Sequence, residues 1–151
     1  MSQHVTITAR TGPDEISNII VPVGAPGFTV GRKYKKLGWH ASDTRELIFS
    51  DARVPKGNLL GARGEGFKNF LIILDAGRVA IGALAVGLTQ GCTDMCVAYA
   101  KERKQFGKSI ADFQAVAFKL ADMSLSADLG RLAVHRAAWL HDQGMPFKRE
   151  A

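Results

Sequence analysis

The chain contains no proline between Phe67 and Pro146, and this absence restricts the possible folds more than any other feature of the sequence. Proline breaks helices because it lacks the backbone N–H and clashes with the preceding turn. The proline-free stretch is also rich in alanine, leucine, methionine and lysine, which favour helix. We therefore predict two long helices, roughly Glu65 to Arg103 and Asp112 to Asp142, with a short turn from Gln105 to Ile110 between them. So short a turn predicts an antiparallel helical hairpin.

The second predicted helix has an unusual distribution of charge. It is expected to begin at Asp112, or one turn earlier at Ser109, because either side chain can accept hydrogen bonds from free first-turn amides, and to end at Gly144. Its charges scatter around most of the circumference when projected at about 100° per residue; they are Lys119, Asp122, Asp128, Arg131, Arg136 and Asp142. Such a helix requires neighbours on several sides. This predicts subunit association or missing chain, and the closing residues KREA, which resemble the start of another helix, favour missing chain.

The first sixty residues are typical of strands and turns. The segment HVTITAR alternates polar and apolar side chains, SNIIVPV is rich in β-branched residues, and ELIFSDARVP is a third run of this kind. The glycine-rich segment VPKGNLLGARGEG then ends this pattern. We predict an α+β fold with a partial antiparallel β domain at residues 1–62 and a long antiparallel helical hairpin at residues 63–151.

Two features of the first predicted helix bear on its surroundings. The segment from Leu71 to Leu88 is long and apolar, but it contains Asp75 and Arg78, and a charge at the centre of a bilayer is costly, which argues against a membrane span. Small residues recur at every fourth position, at Ala83, Gly87 and Gly91, and allow another helix to approach closely. We interpret them as a packing ridge.

Composition narrows the possible partners. The net charge is +6 with a pI near 9.6, but the twenty cations are spread along the chain, so nucleic acid is not favoured as a partner. We find no secretory or lipidation signal and expect a cytoplasmic protein, or a protein of the mitochondrial matrix if the source is eukaryotic. Cys92 and Cys96 lack the CxxC spacing of redox and zinc sites and are expected to be buried thiols. His135 and His141 are six residues apart, on different helical faces, and predict no metal site.

Four segments, in order and covering nearly the whole chain, resemble one known family. They are LGWHASDTRELIFSDARVPKGNLLG (Leu37 to Gly61), GEGF (Gly64 to Phe67), LDAGRV (Leu74 to Val79) and RKQFGKSIADFQAVAFKLADM (Arg103 to Met123). The family is the FAD-dependent acyl-CoA dehydrogenases, whose subunit has an N-terminal helical domain, a middle β domain and a C-terminal helical bundle. The chain resembles the second half of that β domain and the first two helices of the bundle.

The resemblance implies a cofactor site between the two helices. In the family, the arginine matching Arg103 reaches the FAD pyrophosphate of a neighbouring subunit, the residues matching Gln105 and Phe106 lie near the same nucleotide, and the glutamine matching Gln114 hydrogen bonds to its ADP part. The chemistry suits this role, because a guanidinium presents several donors in a fixed fork and keeps its charge at neutral pH. From the residues alone, without the resemblance, we would interpret Arg103 as a solvated charge at a helix end.

The resemblance also implies a substrate site and the reaction. Residues matching Asp75 and Arg78 contact the coenzyme A moiety of the acyl-CoA substrate in the family, whereas the residues alone suggest an ion pair three positions apart. Most members carry the catalytic glutamate late in the bundle, beyond this chain, and some carry it at the position of Gly77. We therefore assign no catalytic residue here and expect the isolated chain to be inactive. The resemblance further implies a homo-oligomer assembled as a dimer of dimers, and electron-transfer flavoprotein as the electron acceptor.

Two other functions remain open at this point. A noncatalytic interaction or assembly module derived from the same family would explain the absent base. A basic helical hairpin that binds nucleic acid is opposed by the dispersed charges and by a content of only two tyrosines and two tryptophans.

Overall fold

The computed structural model describes residues 3–151, in which short antiparallel strands precede two long helices. The elements in chain order are β1 (His4–Arg10), β2 (Ile16–Pro22), β3 (Phe28–Lys33), β4 (Arg45–Phe49), β5 (Leu59–Leu60), α1 (Gly66–Glu102), β6 (Lys104–Gln105), β7 (Lys108–Ser109) and α2 (Gln114–Asp142). One-turn 3-10 helices lie at Lys56–Asn58 and Ile110–Asp112. The predicted α+β class is confirmed.

The chain forms two compact units that divide between Leu71 and Ile72, inside α1. This division describes which residues pack together. It does not show which segments fold independently, so the predicted domain boundary after residue 62 stays a prediction.

The strands of the first unit form two antiparallel sheets. β2 lies between β1 and β5, and its pairing with β1 runs from His4 opposite Pro22 to Arg10 opposite Ile16. β3 pairs with β4, and the rings of Phe28 and Phe49 stack with their centroids 4.7 Å apart. β3 was not predicted, because FTVGRK has a glycine and two cations and owes its extension to pairing with β4. The predicted third run is a strand only over β4, since Asp51 has a φ of 51° and turns the chain.

A buried polar cluster joins β2 to the start of α1 within the first unit. Ser17 is fully buried, and its Oγ accepts a hydrogen bond from the backbone N–H of Gly64 at 3.0 Å and bonds to the Thr11 hydroxyl at 2.7 Å. Gly66 is buried against the same residue, so that an added Cβ would lie 2.6 Å from the Ser17 backbone. Close packing therefore requires glycine at position 66, whereas a Cβ on Gly64 would lie 4.0 Å from the Glu15 side chain, and its φ of 86° is a conformation that favours glycine.

The two helices run antiparallel, as the short connection predicts. A Cβ on Gly82 would lie 3.1 Å from Val134, and one on Gly130 would lie 3.1 Å from Val86. A later residue of α1 therefore faces an earlier residue of α2, as in an antiparallel pair. The Nη2 of Arg131 donates to Gln90 Oε1 at 2.8 Å and ties the helices together. Within residues 3–151, nothing lies within 4 Å of a Cβ at Gly87 or Gly91, so the predicted packing ridge has no neighbour here and stays a prediction. Gly82 and Gly130 make the close approach between α1 and α2.

The predicted start of α2 and the predicted burial of the cysteines are wrong. The helix begins at Gln114, because the 3-10 turn Ile110–Asp112 comes first and Ser109 caps that turn, accepting a hydrogen bond from the Ala111 amide. Cys92 and Cys96 are exposed, since they lie on parts of α1 that α2 does not cover.

Both helices present large apolar side chains to solvent. On α2 these are between 56% and 67% exposed and comprise Phe118, Leu125, Leu129, Leu132 and Trp139. This agrees with the expectation that α2 requires neighbours beyond those present in residues 3–151. An 18-residue window of α1 has a mean hydropathy of 2.0, none of it buried, so α1 meets the length and composition of a membrane span. Buried helices of a bundle satisfy the same criterion.

Candidate functional site

The connection between the helices, residues 103–113, is a folded β-hairpin and not a simple turn. β6 and β7 pair with Lys104 opposite Ser109 and Gln105 opposite Lys108, and the amide of Ile110 donates to the carbonyl of Arg103 at 2.9 Å. The two turn residues, Phe106 and Gly107, have φ values of 52° and 79°. Positive φ at both central positions defines a type I′ turn, whose twist matches that of paired strands. We call this segment the connector hairpin.

Ser109 fastens the connector hairpin to the end of α1. Its hydroxyl donates to the carbonyl of Ala100 at 2.6 Å and accepts from the amide of Ala111 at 3.3 Å. One side chain therefore satisfies a terminal carbonyl of α1 and caps the 3-10 turn that leads into α2. This holds the hairpin in a fixed position between the helices.

Three of the four predicted cofactor residues project from this hairpin into solvent. Arg103 and Gln105 are exposed, and neither side chain has a hydrogen-bond or ion-pair partner among residues 3–151. Phe106 is 92% exposed, and its ring lies edge to face on that of Phe113 with the centroids 6.2 Å apart. An aromatic residue in the left-handed region costs on the order of 1 kcal/mol, which marks the turn as a candidate functional position.

The fourth predicted residue, Gln114, is the first residue of α2 and is exposed. The residue before it, Phe113, offers no capping side chain, so no side-chain acceptor from the described chain occupies the amides of the first turn at this end. The N-terminal end of a helix carries partial positive charge and favours anions. Gln114 thus adds an amide donor and acceptor to a region that already holds the guanidinium of Arg103.

Sequence reasoning missed the Lys108 and Phe113 pair. The ammonium of Lys108 lies 4.3 Å from the centroid of the Phe113 ring and donates to the Asp112 carbonyl at 3.3 Å. This cation–π contact braces the base of the turn. The hairpin gave little signal in the sequence, because type I′ turns are usually marked by Asn-Gly or Asp-Gly and here the pair is Phe-Gly.

The predicted substrate residues form an ion pair well away from the connector hairpin. Arg78 Nη1 lies 2.7 Å from Asp75 Oδ1, with the side chains 50% and 21% exposed. At about 1.5 Å per residue, the helical rise from Arg78 to Arg103 is about 38 Å. The structure therefore pairs the two substrate residues, and it places three of the cofactor residues on the connector hairpin and Gln114 at the start of α2, far from that pair along the chain. Between Asp75 and Arg78, Gly77 is open, with nothing within 4 Å of an added Cβ in the described chain.

Metal-binding side chains do not gather in the described part of the chain. Residues 3–151 contain no group of three or more histidine, cysteine, aspartate or glutamate side chains suited to hold a metal ion. His141 instead packs edge to face on Phe147, with ring centroids 5.0 Å apart.

Comparisons with known proteins agree on one family. Residues 64–151 match the family model described as acyl-CoA dehydrogenase, C-terminal domain. The probable acyl-CoA dehydrogenase YngJ of Bacillus subtilis is 51% identical over 155 aligned residues, which cover 99% of this chain and 41% of that protein. The chain thus spans about 40% of the length of its relatives.

Solved structures give the same result. The butyryl-CoA dehydrogenase of Megasphaera elsdenii is 38% identical with a TM-score of 0.94, covering 99% of this chain and 40% of that one. A structure described as PigA with FAD and proline is 31% identical with a TM-score of 0.95, again covering 99% and 40%. The order of strands and helices, the connector hairpin and these matches lead to one conclusion: the chain belongs to the acyl-CoA dehydrogenase family.

Proposed function

We propose that this chain is a segment of an FAD-dependent acyl-CoA dehydrogenase that catalyses α,β-dehydrogenation of an acyl-CoA thioester. In this proposal the connector hairpin and Gln114 hold the pyrophosphate and ADP part of FAD, and the Asp75–Arg78 pair contacts coenzyme A. Family membership supports the reaction class. The exposed, unpaired guanidinium of Arg103 on a rigid hairpin is the observation that carries the cofactor assignment.

The groups on the connector hairpin fit a dinucleotide. A diphosphate requires a permanent cation and several N–H donors, and Arg103 presents both without having to break an existing ion pair. The two glutamine amides supply neutral donors and acceptors. The exposed ring of Phe106 offers an apolar face beside the nucleotide. Because the hairpin is hydrogen bonded at both ends, little conformational entropy is lost when the cofactor binds.

The proposed substrate residues, Asp75 and Arg78, differ from Arg103 because their charges already neutralise each other. Arg78 retains free donors on the guanidinium after bonding to Asp75, so it can bind a second anionic or carbonyl oxygen of coenzyme A while Asp75 fixes its orientation. When bound, FAD supplies the electron acceptor of the dehydrogenation. The residues of this chain bind and orient, and none of them is assigned as the catalytic base.

The distance between the two groups supports a shared active site built from several subunits. A rise of about 38 Å along α1 suits an arrangement in which Arg103 serves the FAD of a neighbouring subunit, as in a dimer of dimers. Electron-transfer flavoprotein is the proposed electron acceptor, and the cytoplasm, or the mitochondrial matrix in a eukaryote, is the proposed location.

Replacement of Arg103 tests the cofactor assignment. In the assembled holoenzyme, Arg103→Ala should weaken FAD binding about tenfold to hundredfold, which corresponds to the loss of a charge-assisted hydrogen bond. Flavin content per subunit and the FAD concentration needed to restore activity measure this effect. Lys101→Ala removes an exposed charge from the last turn of α1 and serves as the matched control. Equal flavin content in the Arg103 variant and the control would remove Arg103 from the site.

Replacement of Arg78 tests the substrate assignment separately. Arg78→Ala should raise the KM for acyl-CoA about tenfold and leave flavin content unchanged, because a contact to the coenzyme moiety contributes to binding. Arg136→Ala removes an exposed arginine whose acidic partner, Glu150, lies 3.9 Å away, and it is the control. An unaltered KM in the Arg78 variant would contradict the assignment.

A noncatalytic assembly module is the second candidate, favoured by the exposed apolar faces of both helices. The two proposals differ in one measurement. The assembly module would form oligomers without retaining FAD, whereas the dehydrogenase would retain it.

A further inference from the structure

The end of β3 and the loop that follows it carry the densest positive charge in the chain. Residues 16–42 contain no aspartate or glutamate, and their four cations lie within five residues, at Arg32, Lys33, Lys35 and Lys36. The next acidic residue along the chain, Asp43, is paired with Arg45 at 2.8 Å. We call residues 32–40 the basic loop. The remaining acidic residue of these strands, Glu46 of β4, lies beside Gly31 and forms no ion pair among residues 3–151, so it does not pair with the cations of the basic loop.

Hydrogen bonds hold the basic loop in one shape. The amide of Tyr34 donates to the Thr44 carbonyl at 2.9 Å, and the ammonium of Lys36 donates to the Ser42 carbonyl and to the Thr44 hydroxyl, both at 2.8 Å. The His40 ring bonds to the Lys36 carbonyl at 2.8 Å. Lys36 thus holds the base of the loop with two of its three N–H donors, and the third can bind a partner.

The remaining cations of the basic loop are available to a partner. Arg32, Lys33 and Lys35 are exposed and have no hydrogen-bond or ion-pair partner among residues 3–151. An open groove of about 490 Å³ runs beside them; its lining residues are Lys33, Tyr34, Lys35, Lys36 and His40. Three of these residues are lysines, so the charge of the groove favours an anion such as a phosphate group.

Apolar side chains form the tip of the same loop. Leu37 is 104% exposed and Trp39 is 63% exposed, and Trp39 has a φ of 55°. The exposure of the leucine to water is unfavourable, and the left-handed backbone of the tryptophan is strained. The hydrogen bonds that close the loop require neither side chain. Cations beside an exposed tryptophan and leucine are the combination by which peripheral proteins contact anionic bilayers: the cations bind phosphate head groups and the apolar tip enters the interface.

We propose that the basic loop is a peripheral contact site for an anionic lipid surface. A bilayer matches both halves of the loop, because it offers a layer of phosphates directly above an apolar phase and requires no shaped counterpart. An acidic protein would match the cations, but it would also need a pocket of its own that receives the fully exposed Leu37. The proposal does not depend on the acyl-CoA chemistry, and it describes attachment to a surface and not a membrane span.

Vesicle binding of the full chain tests this proposal. In a Trp139→Phe background, Trp39 is the single tryptophan, and its emission should shift to shorter wavelength with vesicles of phosphatidylcholine containing about one third phosphatidylglycerol. Phosphatidylcholine alone should give no shift, and high salt should reverse binding. The double variant Lys33→Glu/Lys35→Glu should lower the partition coefficient at least about 25-fold, at about fivefold per cation.

Two matched variants separate the loop from net charge and from its apolar tip. Lys119→Glu/Lys148→Glu makes the same change in net charge outside the loop and should retain most of the binding. Leu37→Ser should reduce binding with the charge unchanged, and circular dichroism confirms that each variant folds. The proposal is overturned if the chain does not bind anionic vesicles, or if the double variant in the loop and the double variant outside it weaken binding equally. It is also overturned if the chain binds poly-glutamate but not vesicles, which would indicate an acidic protein partner.

Discussion

The two glycine motifs at the ends of α1, GEGF and QFGK, place the same residue type in opposite environments. Gly66 is buried, and an added Cβ would lie 2.6 Å from the backbone of Ser17. Gly107 has a φ of 79°, and nothing in the described chain lies within 4 Å of an added Cβ. The glycine of the first motif lies in a closed junction, packed against strand β2, and the glycine of the second lies in an open, exposed turn. A glycine in a family motif is therefore evidence for a site only after its surroundings are known.

The largest expected effect is at the closed junction. Gly66→Ala should lower the free energy of unfolding by about 1 to 3 kcal/mol, because the methyl group meets backbone atoms that cannot rotate away. Urea unfolding followed by circular dichroism measures the change. Gly77→Ala is the matched control, since it lies in the same helix with open space around it and should gain about 1 kcal/mol from helix propensity. A neutral Gly66→Ala would show that the junction is not closed.

A smaller loss is expected at the open turn. Gly107→Ala should cost about 1 kcal/mol of the free energy of unfolding, because alanine is strained in the left-handed region although no atom obstructs it. Gly107→Asn should be nearly neutral in the same urea titration, since asparagine tolerates this conformation. If alanine and asparagine destabilise equally, steric crowding and not backbone conformation controls this position.

The smallest effect on stability, with the opposite sign, is expected at Phe106. Phe106→Asn should raise the free energy of unfolding by about 0.5 kcal/mol, because asparagine suits the type I′ turn and the exposed ring loses little burial. In the holoenzyme the same change should reduce FAD retention, since the apolar face is lost. Thermal unfolding and flavin content separate the two effects. A less stable variant would mean that the ring contact with Phe113 outweighs the strain at this position.

Much of the fold could be predicted because the signals are local. The absence of proline and the helix-forming composition predicted both helices, and α1 is within one residue of its expected bounds. The start of α2 was placed too early, because Asp112 and Ser109 are good caps for a helix or for a 3-10 turn, and the choice depends on the bond from Ser109 to Ala100. The substrate pair could be read as an ion pair directly from its spacing of three residues.

The α+β class, the helical hairpin and the family could be predicted from the amino-acid order alone, since these depend on periodicity, helix-breaking residues and motifs that act over a few residues. Three properties became known from the folded chain: which small residues bring α1 and α2 together, which glycine motif is buried, and that Arg103 is exposed and unpaired on a β-hairpin within residues 3–151. These properties depend on atoms far apart in the sequence that packing brings within a few ångströms. The approach of α1 to α2 shows this most directly: it occurs at Gly82 and Gly130, and the spacing of small residues along either helix does not indicate which face meets the other.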